Sequence, residues 1–226
     1  MQDKINYWQE ETKKYTWKHA RILLIADEIN HNRSVHSVLD LGAGEALLFR
    51  LLDQRIAYRG LDIAGEKNGA LKIPPVDYFD FDHMDGNVEI PGIPYDCVVI
   101  SGLLEYLENW EDVVLQVHKK WLKPGGLCLV SFINSSGYQK NAPVKGHPKW
   151  IHKFNLPGVL EKLDGMGFEV ERVYPIFWGS KRWLKPVIRL WAEFAVSQRD
   201  FLLLDKPWVS QYLLRTVSKT SNETKA

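Results

Sequence analysis

Short apolar runs alternate with amphipathic segments along most of the chain. In residues 2–29, Tyr7, Trp8, Thr12, Tyr15, His19, Ile22 and Leu23 recur at helical spacing while Lys13, Lys14 and Lys18 can face water, which predicts a helix. Ser37-Val-Leu-Asp-Leu41 is a continuous apolar run ending on Gly42-Ala-Gly44, the pattern of a buried strand entering a tight turn. Leu47, Leu48, Leu51 and Leu52 return to helical spacing and predict a helix over 45–54. Further strands are predicted at 58–62, 76–79, 96–101, 127–132, 168–174 and 210–217, with helices from 110 to 121 and from 156 to 166. Asn109 is placed to cap the first of these two helices, with Glu111 and Asp112 where the helix dipole favours negative charge. Lys123-Pro-Gly-Gly126 then stops it and turns the chain.

Strands this short and apolar, each close to a helix, predict an α/β fold. The expected architecture is a doubly wound, mainly parallel sheet of seven strands with helices on both faces. A chain of 226 residues suits one domain with a core that needs no disulfide or structural metal. Lys plus Arg is 29 against 28 acids, a net charge of +1, which removes the simplest argument for a nucleic-acid binder. Cys97 and Cys128, the two cysteines, fall in predicted strands and read as small core residues, and no metal site is expected. The polar start of the chain and the lack of any apolar run near the roughly 18 residues of a membrane span make a cytoplasmic protein the expectation.

In a doubly wound sheet, ligands bind outside the carboxyl ends of the strands. Gly42 and Gly44 stand at such an end, where glycine lets backbone approach a ligand. A nicotinamide fingerprint needs a small residue at its sixth position, where this chain has Leu47, and no Gly-Lys-Ser/Thr phosphate loop is present. The string is instead Asp40-Leu-Gly42-Ala-Gly44, with a carboxylate able to pair with a cationic ligand group. Asp62 follows 20 residues after Gly42 at the next strand end, where an acid can accept from both ribose hydroxyls.

In this order, Val38-Leu-Asp-Leu-Gly-Ala-Gly44, Tyr58-Arg-Gly-Leu-Asp62, Asp80-Phe-Asp82, Tyr95-Asp-Cys-Val-Val-Ile-Ser101, Leu104-Glu-Tyr-Leu107 and Trp121-Leu-Lys-Pro-Gly-Gly126 resemble the class I S-adenosylmethionine-dependent methyltransferases. The chain is also similar, more loosely, to the MetW-type and type 11 and 12 methyltransferases. It departs from the family at Ala46, where a third glycine is common. The resemblance implies a Rossmann-like fold with an antiparallel last strand, S-adenosylmethionine (SAM) as cofactor and methyl transfer to a small or medium-sized acceptor; the alternative is a non-catalytic partner or regulatory protein that keeps the fold. It implies that Asp80 or Asp82 accepts from the adenine amino group, that the Phe81 backbone meets the ring edge, and that Ser101 and Gly102 line the methionine side. On this view residues 1–35 form an N-terminal helical cap, 36–176 the SAM-binding core, 177–206 an insertion, 207–218 the last strand and 219–226 a disordered tail.

The acceptor side carries weaker signals. His147, Trp150 and His152 fall in the polar segment after the fifth strand, where this family often handles its acceptor. The plainer reading of each histidine is a surface or helix-entry residue. Glu105 faces either the site or solvent. Residues 178–226 hold nine Lys/Arg against four Asp/Glu, a surplus of five, and four of the nine Trp. Val187, Leu190, Trp191, Phe194 and Ala195 recur at helical spacing over 186–201 and predict the inward face of a covering helix with a basic rim. The sharper reading of this insertion is an acceptor cap that uses Arg182, Trp183, Lys185 and Arg189 toward an anionic, glycan or lipid-linked acceptor, with peripheral membrane contact through 178–201.

Overall fold

The computed structural model describes residues 20–63, 76–83, 90, 94–135, 151–177 and 182–219. Seven strands form one sheet: β1 (Ser37–Leu41), β2 (Ala57–Asp62), β3 (Val76–Tyr78), β4 (Tyr95–Ser101), β5 (Leu122–Ile133), β6 (Phe168–Phe177) and β7 (Val209–Ser218). Their spatial order is β3-β2-β1-β4-β5-β7-β6. The pairs from β3 to β5 are parallel, and β7 runs antiparallel between β5 and β6. This is the Rossmann-like arrangement expected from the sequence. The chain leaves β1 toward β2 on one side and returns to β4 on the other, so β1 and β4 flank a switch point where a ligand crevice opens.

Alternation along each strand divides the core into two layers. Leu39, Leu41, Val98 and Ile100 pack with Val113 and Val114 of α2 (Trp110–Gln116) and with Val159 and Leu163 of α3 (Leu156–Gly165). Val38, Cys97 and Val99 pack on the other face with Leu24, Ile25 and Ile29 of α1 (Ala20–Asn30) and with Ile188 and Ala192 of α4 (Lys185–Ser197). Both cysteines are buried and free. Asn155 caps α3 by accepting from the Gly158 N–H at 2.8 Å. Asn109 occupies the cap position of α2 without a side-chain hydrogen bond.

Four expectations are corrected. The helix over 45–54 is a series of turns with one 3-10 turn, Phe49–Leu51. Ala46 has φ +51°, a left-handed conformation that an α-helix cannot continue through, and of the four leucines only Leu48 is fully buried. Lys123-Pro-Gly-Gly126 does not leave the sheet. Leu122 pairs with Tyr95 and Leu127 with Cys97, so the four residues form a bulge within β5. Asp96 holds that bulge to β1, accepting from Lys123 Nζ and from the His36 and Ser37 N–H groups.

The third correction concerns α4. Its inward residues are Ile188, Ala192 and Ala195, while Val187, Leu190 and Phe194 are about half exposed or more. Trp191 lies between, stacked on Phe177 with ring centroids 5.6 Å apart. The fourth is the basic rim. Lys185 pairs with Asp27 of α1, and Arg189 lies 3.2 Å from Asp27 and 3.8 Å from Glu28. These ion pairs fasten α4 to α1. No helix among the described residues is long and apolar enough to cross a membrane. The tail 220–226 and residues 1–19 lie outside the described residues.

Candidate active site

The glycine turn after β1 is anchored by its own backbone. The Gly42 N–H donates to Leu61 O at 2.8 Å and the Ala43 N–H to the same oxygen at 3.2 Å. Gly42 has φ +73° and Gly44 +54°, which only glycine adopts at no steric cost. A Cβ on Gly42 would also stand 3.2 Å from Leu103. Ala46, in the family's third glycine position, holds its left-handed conformation at a cost of about 1–2 kcal/mol. Its methyl is fully buried, which offsets part of that cost.

Two carboxylates stand at this turn on adjacent strands. Asp62 accepts from the Gly44 N–H at 2.9 Å, tying the end of β2 to the turn. Asp40, buried at 5% exposure, accepts from the Tyr58 hydroxyl at 2.8 Å. Burial pushes the Asp40 carboxyl up to about 7, the Tyr58 hydrogen bond opposes this, and the Asp62 charge adds to it. A pair of acids in a partly dry crevice suits a ligand that brings positive charge. With the bare glycine backbone beside it, this donor set fits the sulfonium cofactor implied by the resemblance.

The other predicted cofactor contacts occupy neighbouring strand ends. Asp80 accepts from the Asp82 N–H at 3.1 Å and lies 2.8 Å from His83 Nδ1, while Asp82 accepts from the Glu108 N–H at 3.2 Å. The Phe81 ring is turned into the core against Phe79, centroids 4.7 Å apart, so only its backbone can take the predicted role. The Ser101 hydroxyl lies 3.3 Å from that of Ser131. Gly102 has φ +66°, and a Cβ there would stand 3.2 Å from Arg21 Nη1.

Arg21 donates to Gln211 Oε1 at 3.0 Å, so α1 contributes a guanidinium to this edge that helical spacing alone does not single out. Tyr58 and Gly60 are likewise not singled out by spacing, although both lie in the string that ends at Asp62. Glu105 faces neither solvent nor an open cleft. It is 1% exposed, with Oε1 accepting from the Ile133 N–H at 2.5 Å and Oε2 without a partner among the described residues. Burial raises its carboxyl above the usual range.

Of the predicted acceptor residues, the side chains of His152 and Trp183 are described. The His152 N–H donates to Glu105 O at 3.3 Å, and its ring lies against Trp110 and Phe154 with Nε2 3.4 Å from Glu108 O. His147 and Trp150 lie outside the described residues, as does the Arg182 side chain. Trp183 is 69% exposed. A cleft of about 1000 Å³ is lined by Asp27, Glu28, Arg172, Arg189, Arg199 and Arg215, from α1, α4, β6, β7 and the turn after α4. Its side chains are mostly engaged in ion pairs centred on Glu28.

A family profile described as "Methyltransferase domain" matches residues 7–173. The chain belongs to the class I S-adenosylmethionine-dependent methyltransferase superfamily. It is 25% identical over 196 residues to a protein of Mycolicibacterium smegmatis named "Probable S-adenosylmethionine-dependent methyltransferase", covering 84% of this chain and 74% of the relative. Among solved structures it is similar in fold to the plantazolicin methyltransferase BamL in complex with a triazolic desmethylPZN analog and SAH, with TM-score 0.61 and 13% identity over 96% of this chain and 91% of that one. An S-adenosylmethionine-dependent methyltransferase from Mesorhizobium loti gives TM-score 0.52 and 18% identity over 86% and 96%.

Proposed function

We propose that this methyltransferase-family chain binds SAM at the glycine turn and transfers its methyl group to a small or medium-sized acceptor. The observation that carries the reading is the Asp40–Asp62 carboxylate pair, each acid steadied by a protein hydrogen bond beside Gly42 and Gly44. When bound, SAM supplies a methyl carbon already activated by positive sulfur. The chain's task is then to bind, align and exclude water.

Asp62 would accept from the ribose hydroxyls, Asp40 would face the cationic end, and Asp80 or Asp82 would accept from the adenine amino group. Ser101 and Gly102 would line the methionine side. The acceptor would approach over the ends of β4 and β5, where Glu105 and His152 meet through backbone hydrogen bonds. Titration calorimetry with SAM, its demethylated product SAH and NADH tests the reading. SAM and SAH should bind and NADH should not. Binding without turnover on any acceptor offered would favour a non-catalytic partner that keeps the fold.

A further inference from the structure

We infer that Tyr58 is a positioning residue for the cationic end of the methyl donor, acting through Asp40, and that Gly60 is the space that makes this contact possible. The inference rests on the reading that Asp40 faces that end of the cofactor.

The geometry comes from three strand positions. Asp40 and Gly60 are paired across β1 and β2, and Tyr58 lies two residues before Gly60, on the same face of β2. The Tyr58 hydroxyl can reach Asp40 Oδ2 only by passing over Gly60. A Cβ on Gly60 would stand 3.1 Å from that hydroxyl, 3.0 Å from Val76 Cγ2 and 2.7 Å from Ala43 Cβ. Phe49, in the 3-10 turn after the glycine turn, tilts against the Tyr58 ring with centroids 5.4 Å apart and holds it from the outer side. Tyr58 and Asp40 are both buried, so the hydrogen bond forms away from competing water. One Asp40 oxygen is held by the phenol, and no hydrogen bond from the described residues engages the other.

The phenolic O–H favours the ionised form of Asp40, which is the form that attracts a cation. The other titratable groups near Asp40 do not supply that help. Asp62 on β2 disfavours a second negative charge, and Cys97 on β4 is kept a neutral thiol by burial. Most of what α1 buries on this face is apolar (Ala20, Leu24, Ile25, Ala26 and Ile29), and its buried acid, Glu28, is engaged by Tyr174 and Arg215. Tyr58 alone among these groups pulls Asp40 toward charge.

The test is the pH profile of ligand affinity from pH 5.5 to 9 in native protein, Tyr58→Phe and Asp40→Asn. Two probes are used: SAM, and 5′-methylthioadenosine, which keeps the adenosine and has an uncharged sulfur. Native protein should bind SAM more tightly as pH rises through about 7. In Tyr58→Phe the midpoint should move up by about one to two pH units, leaving SAM about tenfold weaker at pH 7. Methylthioadenosine affinity should be unchanged. In an Asp40→Asn background, Tyr58→Phe should have no further effect.

An unchanged midpoint, an equal loss for methylthioadenosine, or a further loss in the Asp40→Asn background overturns the inference. Should Tyr58→Phe fail to fold, Asp40→Asn with native Tyr58 still decides: a pH dependence that persists there overturns it, and one that vanishes supports it. Native protein that binds no SAM at any pH overturns the functional reading and the inference together. SAM binding with matching profiles in native protein and Tyr58→Phe overturns the inference alone.

Discussion

The Tyr58 hydroxyl donates to the Asp40 carboxylate across 2.8 Å, with both side chains buried beside the glycine turn. Even so, burial holds the acid at about 7 in the fold against 3.8 in an unfolded chain. Between those values the folded state binds more protons than the unfolded state. The contribution of Asp40 therefore makes stability fall as pH rises across that window, by at most about 1.4 kcal/mol per unit. Asp40→Asn should remove this slope and melt above the native protein at pH 8 without ligand, although SAM affinity should drop. Thermal melts of the two proteins from pH 4 to 8 check this; parallel curves would show that the acid carries no such cost.

Glu28 is the hub of the contacts that fasten α1 to the sheet. It is 8% exposed, accepts from Tyr174, and lies 3.1 Å from Arg215 and 3.8 Å from Arg189. Glu28→Ala leaves guanidinium groups facing a partly buried gap and should cost about 3–5 kcal/mol, read by urea denaturation. Reversing Lys185 and Arg189 to Glu places acids against Asp27 and should also lower the melting temperature. A surface-only role for these two cations would leave it unchanged.

The orientation of α4 can be tested residue by residue. Ile188 is fully buried and Leu190 is 73% exposed. Ile188→Ala should cost about 2–5 kcal/mol, and Leu190→Ser should stay within about 0.5 kcal/mol. The opposite ranking would restore the inward face read from hydrophobic spacing.

That misreading shows where sequence stops being sufficient. The strands and the glycine turn were legible because Val38, Leu39, Leu41 and the run from Cys97 to Ile100 are buried on both faces, and such strands have no polar side to confuse them. α4 is apolar on two sides, and spacing selected Val187, Leu190 and Phe194 together with Trp191 and Ala195, passing over the buried Ile188 and Ala192. Lys185 and Arg189 resembled a solvent-facing rim because their partner, Asp27, lies 158 and 162 residues away. Leu47, Leu48, Leu51 and Leu52 keep helical spacing through a connection that is left-handed at Ala46 and extended at Leu52, which leaves room between them for only a short 3-10 turn. At the site, Asp40, Gly42, Gly44 and Asp62 could be read from the order of residues. Tyr58 and Gly60 could not, since their roles appear only when β2 is laid beside β1.

Gly60→Ala should be poorly tolerated. Its Cβ would stand 2.7 Å from Ala43 Cβ, closer than packed carbons approach. A loss of about 1–3 kcal/mol is expected in chemical denaturation. At Gly125 an added Cβ would meet nothing within 4 Å, but φ is +72°. The same change there should cost less, through backbone strain alone. Equal losses would contradict the packing account.

The central claim, that the glycine turn and its acids hold SAM, is tested most directly by titration calorimetry of SAM into native protein and into Asp62→Ala. Native protein should bind SAM, and the variant should lose one or two charge-assisted hydrogen bonds, roughly 1.5–3 kcal/mol or one to two decades in affinity for each. Asp62→Asn, which keeps an acceptor for the Gly44 N–H, separates that loss from loosening of the turn. SAM affinity unchanged in folded Asp62→Ala, or native protein that binds NADH and not SAM, would contradict the account.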